Sequence, residues 1–412
     1  MGLGYIGLPA AGIFATNGFQ VLGVDINPRV VETVNAGNIH IDEPGLRTLV
    51  RAAIGSGNLR ASLQPEPCDA YIIAAPTPLA AGNKPDLSHV IATAEAIAPC
   101  LRAGALVILE STCPPGTCRD ILIPILERSG LNAGRDFRLA HCPERVLPGH
   151  ILRELISNDR VIGGVDRASA EAARDLYASF VEGEIFLTDL TTAETVKVVE
   201  NTYRDVNIAL ANETALLCEQ LGIRYRDVAR LANRHPRVNL HQAGPGVGGH
   251  CISVDPWFLV DRFPEETALI RLARHRNNAM PHHVAAGVCG LIQGVERPKV
   301  AALGLAYKGN VGDTRESPAL AVIQLLMDAG VEVAAHDPFV KETSVPRPPL
   351  PECFDGADCI VLLTDHTAYR SLDIGEVACR VRAKRLYDTR NLLDHEAWRA
   401  AGFTVKVLGE GG

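Results

Sequence analysis

The segment Gly244-Pro-Gly246-Val-Gly248-Gly249-His250-Cys251 packs four glycines into six residues and ends on a thiol. Glycine lets a backbone approach a ligand closely, so a cysteine at the end of such a loop is poised against whatever the loop holds. A buried cysteine taken alone is more often a small hydrophobe. Its surroundings argue for more. Asp255 follows four residues on, and a separate helical stretch carries Lys197, Asn201 and Arg204 at i, i+4 and i+7, one polar face that is either solvated or the wall of a site. The pairs His141-Cys142 and His250-Cys251 lack the short ligand spacings of a zinc centre, and no metal is expected.

A second chemical signature opens the chain. Gly2-Leu-Gly4-Tyr5-Ile6-Gly7 matches the dinucleotide fingerprint, in which the first glycine makes the turn, the second admits a pyrophosphate and the third packs helix on strand. Asp25 ends the apolar run from Val21, where a carboxylate bonds the adenine ribose diol and disfavours a 2′-phosphate. NAD rather than NADP is the cofactor this pairing predicts. The fingerprint should follow a strand, yet Met1 precedes its first glycine directly, so the opening strand is missing. The expectation is that the sequence as written begins late and that the neighbours of that strand lack a partner.

These residues need a scaffold. Strand candidates Val21–Asp25, Ala70–Ala75, Ala105–Leu109 and Phe137–Ala140 alternate with helical stretches, the pattern of parallel βαβ units. Val196, Val199, Tyr203, Val206, Leu210 and Leu217 form an apolar stripe of helical period between a Thr191/Glu194 capping box and a stop at Gly222. A second series follows from Lys299, with strands at Val300–Leu303, Val331–His336, Cys359–Thr364 and Arg385–Asp388. The predicted fold is α/β: two doubly wound Rossmann-like domains joined by a long central helix. A chain of 412 residues exceeds one hydrophobic core. Its net charge of −8 gives no bulk attraction to nucleic acid or anionic lipid, so anionic groups must be held locally. No run approaches the roughly 20 apolar residues of a membrane span. Eleven scattered cysteines argue against a disulfide framework, and the expected location is the cytoplasm.

Ordered motifs along the whole chain resemble the UDP-glucose/GDP-mannose dehydrogenase family. They are Gly2–Pro9, Ala75-Pro-Thr-Pro78, Glu110-Ser-Thr112, Cys142–Gly149, Ala193–Lys197 with Asn201, Asn233–Asn239, Gly244–Phe258, Gly304–Lys308 and Arg315–Pro318. The resemblance implies an NAD domain (1–188), a central helical dimerisation segment with the catalytic loop (189–296), and a UDP-sugar domain (297–412). It implies Cys251 as nucleophile, Lys197 and Asn201 as oxyanion stabilisers, Asp255 as partner for water and lysine, and Glu144 as a carboxylate serving hydrolysis. Thr77 and Thr112 join Gly2, Gly4, Tyr5, Ile6, Gly7 and Asp25 on the cofactor side. Arg145, Arg234, Arg237, Asn239, Gly246, Gly249, Lys308 and Arg315 are the implied substrate contacts, in a homodimer. The implied reaction oxidises the C6 alcohol of a UDP-sugar to a carboxylate through a thiohemiacetal and a thioester. The family's usual Pro-Lys before the aspartate is replaced by Ser253-Val254, a departure that fits the N-acetylhexosamine branch and removes one lysine. UDP-N-acetylglucosamine and UDP-glucose are the alternative sugars, and a non-catalytic nucleotide-sugar or NADH binder the alternative class.

Overall fold

The computed structural model describes residues 1–341 and 343–411. The chain divides into two compact units, Met1–Glu200 with Trp257–Pro264, and Asn201–Pro256 with Glu265–Gly412. In the first, strands β1 (Val21–Val24) and β2 (Leu59–Ser62) pair in parallel, apart from a sheet of β3 (Ala70–Ile73), β4 (Leu106–Leu109), β5 (Arg138–His141), β6 (Arg160–Gly164) and β7 (Ile185–Asp189) in that order. All neighbours in the larger sheet are parallel except β5 and β6. Its residues alternate between two cores, Ile73, Val107 and Leu109 on one face and Leu106, Ile108 and Ala140 on the other, so helices cover both sides. Between β1 and β3 lie Met1 and Gly2: Gly2 N–H donates to Val24 O at 2.7 Å and Ala74 N–H to Met1 O at 2.9 Å. Helix α1 (Gly7–Thr16) follows at once.

The second unit holds β8 (Lys299–Leu303), β9 (Glu332–His336), β10 (Cys359–Leu362), β11 (Arg385–Asp388) and β12 (Thr404–Val407), all parallel, in the order β9-β8-β10-β11-β12. Val300 and Ala302 enter one core and Ala301 and Leu303 the other, the two-sided burial that makes these strands continuous apolar runs. The order reverses between β8 and β10. In open α/β sheets such a reversal splays the loops at the carboxyl ends of the strands and leaves a crevice for a ligand.

Five helices matter for the site: α2 (Leu190–Leu221), α3 (Tyr225–Ala232), α4 (Asp255–Arg262), α5 (Ala268–Leu291) and α6 (Pro318–Asp328). The long helix α2 ends where Gly222 turns left-handed at φ +68°, as the sequence predicts. Its start is different. Asp189, not Thr191, caps it, taking the Thr192 N–H at 3.0 Å and hydroxyl at 2.5 Å. Glu194 lies beyond the first turn, too far along to reach back to the cap. It is buried and instead accepts the N–H groups of Gly116 at 2.5 Å and Cys118 at 2.7 Å, which open the helical turn Cys118–Leu122.

The stripe on α2 is also inverted relative to the usual amphipathic helix. Val199, Tyr203, Leu210 and Leu217 are about half exposed, whereas Lys197, Asn201, Asp205 and Asn212 are buried. Three of these buried polar groups are paired, Asn201 with Asp255, Asp205 with Arg274 at 2.5 Å and Asn212 with Asn277, which offsets the cost of burying them. Among the described residues no helix is long and apolar enough to cross a membrane.

Candidate active site

In the first unit the turn ahead of α1 gives each fingerprint glycine its own reason. Gly2 sits at φ +87°, and a Cβ there would lie 2.8 Å from the Ala74 carbonyl oxygen. A Cβ on Gly7 would overlap the Gly2 carbonyl. Around Gly4 a Cβ would meet nothing within 4 Å. The first and third glycines are thus demanded by the protein's own packing, while the second keeps open space beside the N-terminus of α1, whose N–H groups favour a phosphate. Asp25 is fixed at the end of β1 by the N–H groups of Leu3 and Asn27, both at 2.9 Å. Thr77 donates its hydroxyl to Thr112 O at 2.7 Å, tying the loops after β3 and β4 together. Tyr5 and Ile6 form the crest of the turn, with Tyr5 exposed. A dinucleotide fits this arrangement.

Beyond β5, Glu144 belongs to a buried charge cluster that the sequence did not reveal. Its Oε2 lies 3.4 Å from Arg160 Nη1, and its Oε1 accepts the Arg145 N–H at 2.6 Å. Arg160 also lies 4.0 Å from Glu110, which accepts the Tyr177 hydroxyl at 2.6 Å. Burial, reinforced by repulsion from Glu144, pushes Glu110 up to about 7 in spite of Arg160. The neighbouring Cys142 thiol is pushed up to about 12 and His141 down to about 3, both by burial, so this His-Cys pair is neutral. Arg145 is engaged at both ends of its guanidinium, by Glu200 at 2.8 Å and by the Asp159 carbonyl.

The second unit brings the cysteine loop onto the reversal point of its sheet. The loop after β8 carries Tyr307 and Lys308, and Thr364, after β10, closes on it by donating to Ala306 O at 2.6 Å. Gly249 packs on this loop: it is at φ +84°, and a Cβ there would lie 3.0 Å from the Tyr307 ring. Its N–H donates to Arg315 O at 3.0 Å. A Cβ on Gly248 would overlap Glu316 O, and one on Gly246 would lie 3.0 Å from Pro318. The glycines therefore allow the strand of loop bearing Cys251 to lie flat against residues 307 and 315–318. Burial, and after it the Asp313 carboxylate, push the Tyr307 hydroxyl above its ordinary range. The Cys251 carbonyl accepts the N–H groups of Val254 at 3.0 Å and Asp255 at 2.8 Å, seating the residue on the turn into α4.

Asn201 donates to Asp255 at 2.6 Å, and both are buried. Lys308 is exposed, and Arg315 is exposed and doubly bonded to Asp313. Arg234, Arg237 and Asn239 stand exposed on the loop after α3, which Asn233 closes through two bonds to Leu240. Among the described residues none of the three makes a side-chain hydrogen bond to the glycine loop. Sequence reasoning missed Tyr307 and Arg390. The latter reaches within 2.5 Å of where a Cβ on Gly244 would stand, while pairing with Asp365 at 3.1 Å. Tyr307 lies inside the motif Gly304–Lys308 and was legible as a neighbour of Lys308, whereas nothing in the sequence around Arg390 marks it.

Three family models cover most of the chain: the NAD binding domain of the UDP-glucose/GDP-mannose dehydrogenase family over residues 1–181, its central domain over 191–279, and its UDP binding domain over 301–395. The chain belongs to the UDP-glucose/GDP-mannose dehydrogenase family. Within this family, a UDP-N-acetyl-D-mannosamine dehydrogenase of Methanococcus maripaludis is 47% identical over 100% of this chain and 96% of its own. An NDP-N-acetyl-D-galactosaminuronic acid dehydrogenase of Ralstonia nicotianae is 46% identical over 95% of each. The solved UDP-D-ManNAc dehydrogenase of Pyrococcus horikoshii superposes with a TM-score of 0.93 at 42% identity, covering 100% of this chain and 98% of that one. The chain is an NAD-dependent UDP-sugar dehydrogenase, with the Gly2–Gly7 turn in the NAD binding domain and Lys308 and Arg315 in the UDP binding domain.

Proposed function

We propose that this protein oxidises the C6 alcohol of UDP-N-acetyl-D-mannosamine to the carboxylate in two steps, with Cys251 as the covalent nucleophile. The observation that carries the reading is the cysteine loop lying flat on the loops that bear Lys308 and Arg315. NAD, when bound by Gly2, Gly4, Gly7, Asp25, Thr77 and Thr112, accepts the hydride released in each of the two oxidations. The protein has to keep the intermediate aldehyde between them. The Cys251 thiolate does so by adding to the carbonyl carbon, and the resulting thiohemiacetal keeps the hydrogen that the second oxidation removes to leave a thioester. Water then attacks the thioester carbonyl, releasing the carboxylate and restoring the thiol. Asn201, whose amide is held by Asp255, and Lys197 serve the oxyanions formed on the way, and Glu144 serves the hydrolysis. Lys197 acting through a water is our preferred base for the first step. Arg145, Arg234, Arg237, Asn239, Gly246, Gly249, Lys308 and Arg315 hold the UDP-sugar.

The exposed stripe Val199, Tyr203, Leu210 and Leu217 supports a homodimer built on α2, since apolar surface of this extent on a helix is stabilised by burial against another chain. The scattered spacing of the eleven cysteines, which suits no disulfide framework, favours a cytoplasmic location. The decisive experiment counts NADH formed per sugar consumed under anaerobic conditions and follows the carboxylate in Cys251→Ala. Two NADH per sugar are expected from the parent and no uronic acid from the variant, which should still bind NAD and sugar. Carboxylate formation by Cys251→Ala at near the parent rate rules out the covalent route, and one NADH per sugar rules out the four-electron reaction.

A further inference from the structure

The glycine loop is tethered at its start as well as seated at its end. Asn212 of α2 is fully buried, and its Oδ1 accepts the Gly244 N–H at 2.9 Å. Its amide nitrogen donates to Asn277 Oδ1 at 2.9 Å. Asn277 of α5 in turn donates to Asp205, to the carboxylate at 2.8 Å and to the main-chain oxygen at 3.0 Å. The carboxylate is paired with Arg274 at 2.5 Å. All of these side chains are essentially buried.

This chain of bonds has a direction. An ionised carboxylate only accepts, so Asp205 forces the NH2 of Asn277 toward itself and the Asn277 oxygen toward Asn212. Asn212 must then present its NH2 to Asn277 and its oxygen to Gly244. The charged pair Asp205–Arg274 thereby fixes the orientation of both amides, which in isolation can flip at little cost. A second hold comes from the same residue. Pro281 has no N–H, so the α5 ladder offers the Asn277 carbonyl no i+4 donor, and Gly246, at φ +137°, packs there: a Cβ on it would lie 3.2 Å from that oxygen and 3.4 Å from Pro281.

We propose that Asn212 and Asn277 are positioning residues for the Cys251 loop, an amide relay that transmits the fixed orientation of Asp205–Arg274 to the Gly244 N–H and so sets where the thiol stands. The inference rests on the reading of Cys251 as nucleophile for its bearing on rate. Its test includes a measurement that needs no turnover. Iodoacetamide is reacted with the protein, and alkylation of the Cys251 peptide is timed by mass spectrometry in the parent, Asn212→Ala, Asn277→Ala and the exposed control Gln293→Ala. Both relay variants should change the alkylation rate of Cys251 severalfold and lower kcat roughly 10- to 100-fold, the scale of a displacement near 1 Å, while KM for NAD stays within about twofold. The control should match the parent in all three. Should Asn212→Ala not fold, Asn212→Asp keeps the volume and the acceptor for Gly244 but sets a second acceptor against the Asn277 oxygen, so it breaks the relay at that bond and is read the same way as Asn277→Ala. Alkylation and kcat within twofold of the parent in folded relay variants overturn the proposal. Activity surviving in Cys251→Ala would remove the catalytic reading alone, because alkylation still reports the loop.

Discussion

Glu110 illustrates what a residue does when its chemistry is overruled by its surroundings. It lies inside a motif visible in the sequence, Glu110-Ser-Thr112, but its partners come from β6 and from a helix more than sixty residues away, Arg160 and Tyr177. Such convergence leaves no local spacing to read. Burial and the nearby Glu144 raise its carboxyl from 4.5 to about 7. Between those two values the folded protein holds a proton that the unfolded chain has released, so stability falls as pH rises through this window and levels off above it. At 1.36 kcal/mol per unit the loss is about 3 kcal/mol as an order of magnitude. Glu110→Gln keeps an acceptor for the Tyr177 hydroxyl and removes the titration. Urea unfolding at about pH 5 and about pH 8 should show the parent losing more stability than the variant over that interval, by about that amount. Parallel losses in both proteins would show that Glu110 titrates no differently on folding. The glycines of the two loops were legible from sequence because their roles are local, whereas Arg160, Asn212 and Arg390 act only through long-range contacts.

At the scale of elements, the strands buried on both faces were found from their apolar runs, as with Lys299–Leu303 and Cys359–Leu362. The strands that escaped were β2, β6, β7 and β12, whose sequences Leu-Arg-Ala-Ser, Arg-Val-Ile-Gly-Gly, Ile-Phe-Leu-Thr-Asp and Thr-Val-Lys-Val mix charge, glycine or polar residues into short segments. Helix α2 was recognised by its period, but period alone does not say which face turns inward. Its polar face is buried because Asn201, Asp205 and Asn212 find partners on α4 and α5, a fact of tertiary structure. The outward stripe carries the dimer prediction. Tyr203→Glu with Leu210→Glu should leave the monomer folded, since both residues are exposed, and should shift the sedimentation coefficient from dimer to monomer. A parent that sediments as a monomer, or a double variant that remains dimeric, would remove α2 as the interface.

For the whole molecule, the two α/β domains and the family were readable because ordered motifs span the chain, while the choice of sugar is not fixed by any single motif. Relatives named for N-acetylmannosamine and for N-acetylgalactosaminuronic acid match this chain at 47% and 46% identity. What these names have in common is the acetamido group, and the expected discrimination follows from it. A site that hydrogen-bonds an acetamido group loses that bond with UDP-glucose and leaves a buried partner unpaired, at a cost of about 1–3 kcal/mol, or roughly 5- to 150-fold in kcat/KM. Epimers keep the group and shift only its direction, so their penalties should be smaller. Measured over a panel of UDP-sugars, kcat/KM should be highest for UDP-N-acetylmannosamine, intermediate for UDP-N-acetylglucosamine and lowest for UDP-glucose, with UDP-N-acetylgalactosamine included as the competing assignment. A maximum at UDP-N-acetylgalactosamine would move the substrate to the other branch, and a preference for UDP-glucose would overturn the acetamido argument itself. In both cases the yield of two NADH per sugar would be unaffected, because the covalent chemistry at C6 does not involve the substituent at C2.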